Sequence, residues 1–206
     1  MFINAETINS AWKRILEVVW CSPEFGSERG KTKEVFNLLV KIRTPLKGMI
    51  CEGFPMGKNE LESYSKQLLD PDKKGFEYTY GERLRKWGDE GIDQLGFIIK
   101  RLKKNEGSRR ATAVTWIPPI DERNEEVPCL IMVDFKIREK KLNLTAVFRS
   151  NDMFGAWPAN AYGLTRLCEY VAKGANVGVG TITTLSISAH IYEHDWKNVK
   201  RVLGAK

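Results

Sequence analysis

The sequence predicts an α+β fold, a single domain over residues 1–206 with a mixed, mainly antiparallel β-sheet packed by helices. Three observations predict it. Segments of helical apolar spacing and segments of branched, strand-like residues follow one another in mixed order. Two strand-like segments are joined by the short polar link Glu139-Lys140-Lys141, which reads as a hairpin. No repeat, low-complexity tract or linker divides the chain, and 206 residues are enough to bury one sizeable core.

Taken in order, Asn4 to Trp20 places Ile8, Ala11, Trp12, Ile15, Val18 and Val19 at helical spacing. Cys21 to Ser27 reads as a loop. Glu34 to Ile42, with Val35, Leu38, Leu39, Val40 and Ile42, reads as a buried strand ended near Pro45. Asn59 to Leu69 reads as a helix stopped by Asp70-Pro71, because proline has no N–H to donate inside a helix. Ile92 to Lys104 repeats the helical spacing and gathers its basic residues at the C-terminal end, where the helix dipole favours them. Ala111 to Ile117 is a strand broken by Pro118-Pro119. Val127 to Arg138 and Leu142 to Phe148 are the two strands of the hairpin. A helix from about Ala159 to Val171, a glycine-rich turn at Gly174 to Gly180, a strand from Thr181 to Ser188 and a short segment from Asp195 to Leu203 complete the chain.

Hydrophobic residues at 42% and charged residues at 29% are the balance of an ordered globular chain. Apolar runs such as Leu130 to Val133 are far too short to cross a bilayer. The start, Met1-Phe2-Ile3-Asn4, lacks the basic-then-apolar pattern of a signal peptide, so a cytoplasmic location is expected. Cys21, Cys51, Cys129 and Cys168 stand far apart, which indicates neither a disulfide framework nor a zinc knuckle. The net charge of +7 favours an anionic partner, from nucleic acid to a phosphorylated metabolite. His190 and His194 lack a third ligand nearby, so no metal is expected.

Five short motifs carry the chemistry. Ser108-Arg109-Arg110, Val127-Pro128-Cys129, Phe148-Arg149-Ser150-Asn151-Asp152-Met153-Phe154, Trp157-Pro158-Ala159-Asn160 and Ala189-His190-Ile191-Tyr192 follow in that order. The gaps are 19 residues from Arg110 to Cys129, 20 to Arg149, 11 to Asn160 and 30 to His190. In order and spacing they resemble the thymidylate synthase family without an insertion or deletion. Tyr80-Gly81, Arg85 and Trp87 extend the resemblance upstream, so it covers Tyr80 to Tyr192, roughly half the chain.

The resemblance implies a thymidylate synthase-like fold and a C1-transferring methyltransferase that converts deoxyuridylate (dUMP) to dTMP. Methylating C5 of uracil requires that carbon to be made electron-rich, which a soft thiolate achieves by adding to C6. The family pattern puts Cys129 in that role, with Tyr80 near the reacting base, where it assists proton removal from C5. A free thiol is mostly protonated at neutral pH. The resemblance supplies Arg149 as the fixed charge that favours the thiolate and also holds phosphate. It adds Arg29 and Ser150 to the phosphate site, with Arg109 and Arg110 donated across a homodimer interface; a monomer stays compatible with the archaeal branch. Asn160 offers one donor and one acceptor to O4 and N3–H of uracil, where the related deoxycytidylate hydroxymethylases place aspartate. His190 and Tyr192 match the pair at the sugar 3′-hydroxyl, and Asp152 matches the contact to the pterin ring of the cofactor.

Several positions depart from the family pattern. Leu130 stands where a histidine is usual, Phe148 where a glutamine is usual, and Gly155 is adjacent to the expected glycine position at Ala156. For the catalytic glutamate the sequence offers only Glu52, Glu60 and Glu62 as candidates. The sequence ends 14 residues after Tyr192, so the long carboxy-terminal segment that closes over folate is expected to be missing. The short, lysine-rich chain resembles the archaeal branch. The one-carbon donor is accordingly expected to be a methylene-tetrahydropterin, folate or the analogue of methane-producing archaea. The nearest rival reading is a dUMP or dCMP hydroxymethylase. A non-catalytic nucleic-acid-binding protein, suggested by the charge and Arg101-Leu102-Lys103-Lys104, is weaker because those residues share one helix and no nucleic-acid motif joins them.

Overall fold

A computed structural model describes residues 1–204. Strand Phe2–Ala5 (β1) leads into helix Ile8–Trp20 (α1), followed by strands Glu24–Ser27 (β2) and Gly30–Ile42 (β3). Three helices come next, Lys58–Gln67 (α2), Tyr80–Arg85 (α3) and Gln94–Lys104 (α4), then strand Thr112–Val114 (β4) and the helical turn Pro118–Asp121 (α5). Strands Leu130–Arg138 (β5) and Lys141–Asp152 (β6) precede the long helix Trp157–Ala175 (α6), strand Gly178–Tyr192 (β7) and, after one 3-10 turn, helix Trp196–Leu203 (α7). The sheet order is β1-β3-β7-β6-β5-β4, with β2 beside β3. The β1/β3 and β6/β7 pairings are parallel and the other four antiparallel, so the sheet is mixed and mainly antiparallel as the sequence predicts.

Local pattern misses what the sheet edge decides. The helix predicted from Asn4 begins only at Ile8, because Thr7 caps it: Ser10 N donates to Thr7 Oγ1 at 3.2 Å and Thr7 N to Ser10 Oγ at 3.0 Å. The residues before the cap form β1, which exists through pairing with the distant β3 and shows no periodicity of its own. The predicted loop at Cys21 to Ser27 contains β2, every residue of which is exposed, so no buried face could mark it. The β3 strand is not buried on both faces: Leu38, Val40 and Ile42 point into the core while Leu39 and Lys41 are half-exposed. At the β5–β6 hairpin Glu139 and Lys140 adopt φ of 51° and 59°, the positive pair of a tight turn that matches strand twist.

Helices α1 and α6 cover one face of the sheet and enclose the core. Two buried indoles pin them: Trp12 Nε1 donates to Met153 O at 2.7 Å, and Trp157 Nε1 to Thr184 Oγ1 at 3.1 Å. Helix α6 opens with Pro158 in its first turn and closes on Asn176 in the left-handed conformation, which makes it longer than predicted at both ends. On the opposite face, Leu39, Leu185, Val147 and Met132 are register partners in a half-exposed apolar row across four strands. Among the described residues no helix is long and apolar enough to cross a membrane.

The start of α3 is pressed onto the end of α2. A Cβ at Gly81 would lie 2.1 Å from Gln67 O and 2.3 Å from Asp70 O, which explains why glycine follows Tyr80. Gly81→Ala will therefore overpack this contact, cost about 1–3 kcal/mol and displace Tyr80. A denaturation midpoint equal to that of the parent would contradict this.

Candidate active site

Cys129 sits on a backbone strap just before β5, and nearly every polar group of that strap is tied down. Val127 O accepts from Tyr78 Oη at 3.3 Å and Arg149 Nη2 at 3.0 Å. Pro128 O accepts from Arg149 Nε at 3.0 Å and Trp116 Nε1 at 3.0 Å. Cys129 O accepts from Arg149 N at 2.9 Å, and Leu130 N donates to Tyr80 Oη at 3.2 Å. Thr115 Oγ1 donates to Leu130 O. The strap that carries the sulfur is thus held by three surrounding segments, residues 78–80, 115–116 and 149.

The four cysteines now separate. Cys51 and Cys168 are buried, and burial pushes both thiols up to about 12, so they are inert. Cys21 is exposed on the surface. Cys129 is half-buried, with Arg149 and Arg29 near enough to favour its thiolate and Glu126 opposing them. Burial outweighs these charges, and the thiol lies above its ordinary value. Arg149 lowers the pKa as the sequence implies but does not by itself yield a thiolate. Because the raised pKa favours the protonated form, alkylation of Cys129 by iodoacetamide should be slow at neutral pH and still accelerating above the ordinary thiol value of about 8.5. Peptide mapping by mass spectrometry checks this, and a plateau below that value would sink it.

Three tyrosines surround the sulfur. Tyr64, Tyr78 and Tyr80 each feel the Cys129 charge, and all three line a cavity of about 530 Å³ with Phe76 and Leu68. Burial holds the Tyr80 phenol well above its usual range, so it stays protonated. The Leu130 N–H donates to the Tyr80 oxygen, and the Tyr80 hydroxyl is itself hydrogen-bonded to Tyr78.

Asn160 lies in the first turns of α6, 7% exposed. Its Oδ1 accepts from Tyr64 Oη at 2.6 Å, and its Nδ2 donates to Asn151 Oδ1 at 3.1 Å. The β6–β7 register sets Ser150 beside Ser188 and Asp152 beside His190. His190 packs edge-on to Tyr192 with ring centroids 4.8 Å apart, and burial keeps its imidazole neutral by lowering the pKa. Asp152 Oδ1 accepts from Phe154 N and Gly155 N at 3.0 Å each. A Cβ at Gly155 would lie 2.5 Å from Asp152 Oδ2, so the glycine one place before the expected position serves the carboxylate. Burial raises the Asp152 pKa against these two donors.

Arg29 lies in the turn between β2 and β3, 69% exposed at its side chain and paired with Glu126 at 3.2 Å. It also reaches Tyr192, so it stands at the rim of the same site. Arg109 and Arg110 are exposed before β4, and neither guanidinium is hydrogen-bonded to a site residue among the described residues. None of the three candidate glutamates contacts Cys129. Glu52 pairs with Lys13 at 3.0 Å, Glu60 Oε2 accepts from Gly57 N at 2.6 Å, and Glu62 binds Tyr162 and Arg166 at 2.5 Å each. No group of three His, Cys, Asp or Glu side chains suited to a metal occurs among the described residues. Sequence reasoning missed Tyr64, Tyr78, Asn151 and Glu126. No local signal marks the tyrosines, because they reach the site from α2 and the loop before α3.

The sequence profile of the "Thymidylate synthase" family matches residues 32–206. The chain belongs to the thymidylate synthase family. Its relatives include a protein named "Putative thymidylate synthase" of Methanosarcina mazei, 48% identical over 98% of this chain and 94% of the relative. Proteins of the same name from Methanothermobacter marburgensis and Methanopyrus kandleri are 44% and 37% identical, covering 98% and 95% of this chain and 97% and 94% of their own lengths. Family members are C1-transferring methyltransferases that bind dUMP, use a methylene-tetrahydrofolate-type cosubstrate and typically form dimers. Against the family pattern, the two apolar departures, Leu130 and Phe148, are register partners on β5 and β6 and both buried. Their joint change leaves no polar side chain stranded in the core.

Proposed function

We propose that this enzyme converts dUMP to dTMP through a covalent bond between Cys129 and C6 of uracil. The observation that carries the reading is the clamped strap: the one half-buried cysteine is held beside Arg149 and a tyrosine-lined cavity. As the ring enters, the Cys129 proton leaves and sulfur adds to C6, making C5 nucleophilic. The donor, a reduced methylene-pterin, supplies the one-carbon unit and the hydride that completes the methyl group. After C5 is alkylated its proton departs, with the Tyr80 hydroxyl placed to pass it on. The C6–S bond then breaks and regenerates Cys129.

Asn160 reads O4 and N3–H, and His190 and Tyr192 take the 3′-hydroxyl. Arg149 and Ser150 hold the phosphate, with Arg29 swinging from Glu126 to join them. Arg109 and Arg110, whose guanidinium groups bond no site residue of their own chain among the described residues, complete the phosphate cluster of a second copy. The apolar row Leu39, Leu185, Val147 and Met132 is the surface on which two copies meet. Asp152 and the 530 Å³ cavity receive the pterin, folate or its archaeal analogue.

The test is incubation with dUMP and, separately, methylene-tetrahydrofolate or methylene-tetrahydromethanopterin, with product identified by mass. Formation of dTMP is expected in at least one arm, and turnover with the folate alone would refute the analogue as donor. Hydroxymethyl-dUMP would replace methylation by hydroxymethylation. Absence of product together with absence of C5 proton exchange would overturn the reading.

A further inference from the structure

The side-chain amide of Asn160 belongs to a directed chain of hydrogen bonds. Tyr64 Oη donates to Asn160 Oδ1 at 2.6 Å, Asn160 Nδ2 donates to Asn151 Oδ1 at 3.1 Å, and Asn151 Nδ2 donates to Ser186 Oγ at 3.3 Å. Asn151 and Ser186 are buried, and Tyr64 arrives from α2, outside every motif that the sequence singles out. A primary amide can accept two hydrogen bonds and donate two. The chain uses one of each on Asn160, which leaves one acceptor site and one N–H. Uracil presents the complement, a donor at N3 and an acceptor at O4. Cytosine presents the reverse, an acceptor at N3 and a donor amine at C4.

The direction of the chain therefore carries the base preference. A hydroxyl stands at each end, and a hydroxyl can donate or accept. Turning over both amides would give a chain in which Asn160 Nδ2 donates to Tyr64 and faces cytosine N3. What opposes that reversal is Tyr64, whose one hydrogen bond among the described residues is its donation to Asn160. Reversal would leave its buried O–H without an acceptor once a ring fills the site.

We infer that Tyr64, bonded directly to Asn160 opposite the Asn151–Ser186 relay, is a specificity-determining positioning residue that fixes the Asn160 amide in its uracil-reading orientation. The inference rests on the proposal that Asn160 reads the base. Tyr64→Phe keeps the ring and removes only the hydroxyl. The experiment compares C5 tritium release from labelled dUMP and dCMP, with equilibrium binding of each nucleotide, in the parent and the variant. The expected result is a fall of about tenfold in the preference for dUMP, carried by KM and binding rather than kcat. Asn151→Asp, an acceptor only at the middle of the chain, should keep the preference. If Tyr64→Phe keeps the parent's preference, or slows both nucleotides equally, the inference is overturned. If the parent itself neither binds dUMP nor releases its tritium, the proposed function fails instead, which separates the two.

Discussion

Cys129→Ala will lower tritium release from C5-labelled dUMP by at least about 10⁴-fold while leaving dUMP binding within a few-fold of the parent. The reason for the size is that exchange at C5 needs the adduct at C6, and the site offers no second nucleophile. Cys51 and Cys168 are buried with their thiols pushed up to about 12, and Cys21 is exposed at the end of α1. The reason binding survives is that the proposed phosphate, base and sugar contacts are assigned to other residues. Cys129→Ser should be nearly as inactive, because a hydroxyl ionises far less readily than a thiol. Exchange does not require the one-carbon donor, so the measurement isolates the sulfur. Exchange in the alanine variant at the parent's rate would rule out the covalent step.

The second large effect concerns stability. Arg83, 1% exposed at its side chain, pairs with Asp121, 0% exposed, at 2.7 Å from Nη2 to Oδ1 and 3.3 Å from Nη1 to Oδ2. Asp121 Oδ2 also accepts from Ile117 N at 2.6 Å. Removing one partner leaves a buried charge without its counter-charge, which costs about 3–5 kcal/mol. Arg83→Ala should accordingly lower the Tm by roughly 10 °C. It should also loosen the active site, because this pair joins α3, which carries Tyr80, to residues 115–121, whose Thr115 and Trp116 donate hydrogen bonds to the strap. A double change to Arg83→Met and Asp121→Leu should recover only part of the loss, because it leaves Glu82, paired with Arg83 at 3.1 Å, and the Ile117 N–H without their partners. A loss below about 1 kcal/mol in chemical denaturation of Arg83→Ala would show that the pair is not acting as a buried ion pair.

The sequence by itself determined the class of fold, the helices with a buried apolar face and the hairpin whose turn lies between two branched segments. It also named the side chains proposed to carry the chemistry, because the five motifs match the family in residue type and spacing along the chain. Those properties are local, or are spacings that can be read along the chain. Where a feature depends on partners far apart in sequence, local pattern carried no signal. The β1 strand exists because β3 is beside it, and β2 has no buried face to betray it.

The tertiary structure alone decided the balance at Cys129, since burial against three tyrosines outweighs the nearby guanidinium groups and no residue list can weigh one against the other. It alone brought Tyr64 from α2 onto Asn160 of α6, and it sent Glu52, Glu60 and Glu62 to other partners. Residue type sets what a group can do. Desolvation and hydrogen-bond direction, which exist only once distant segments meet, set which of those things it does.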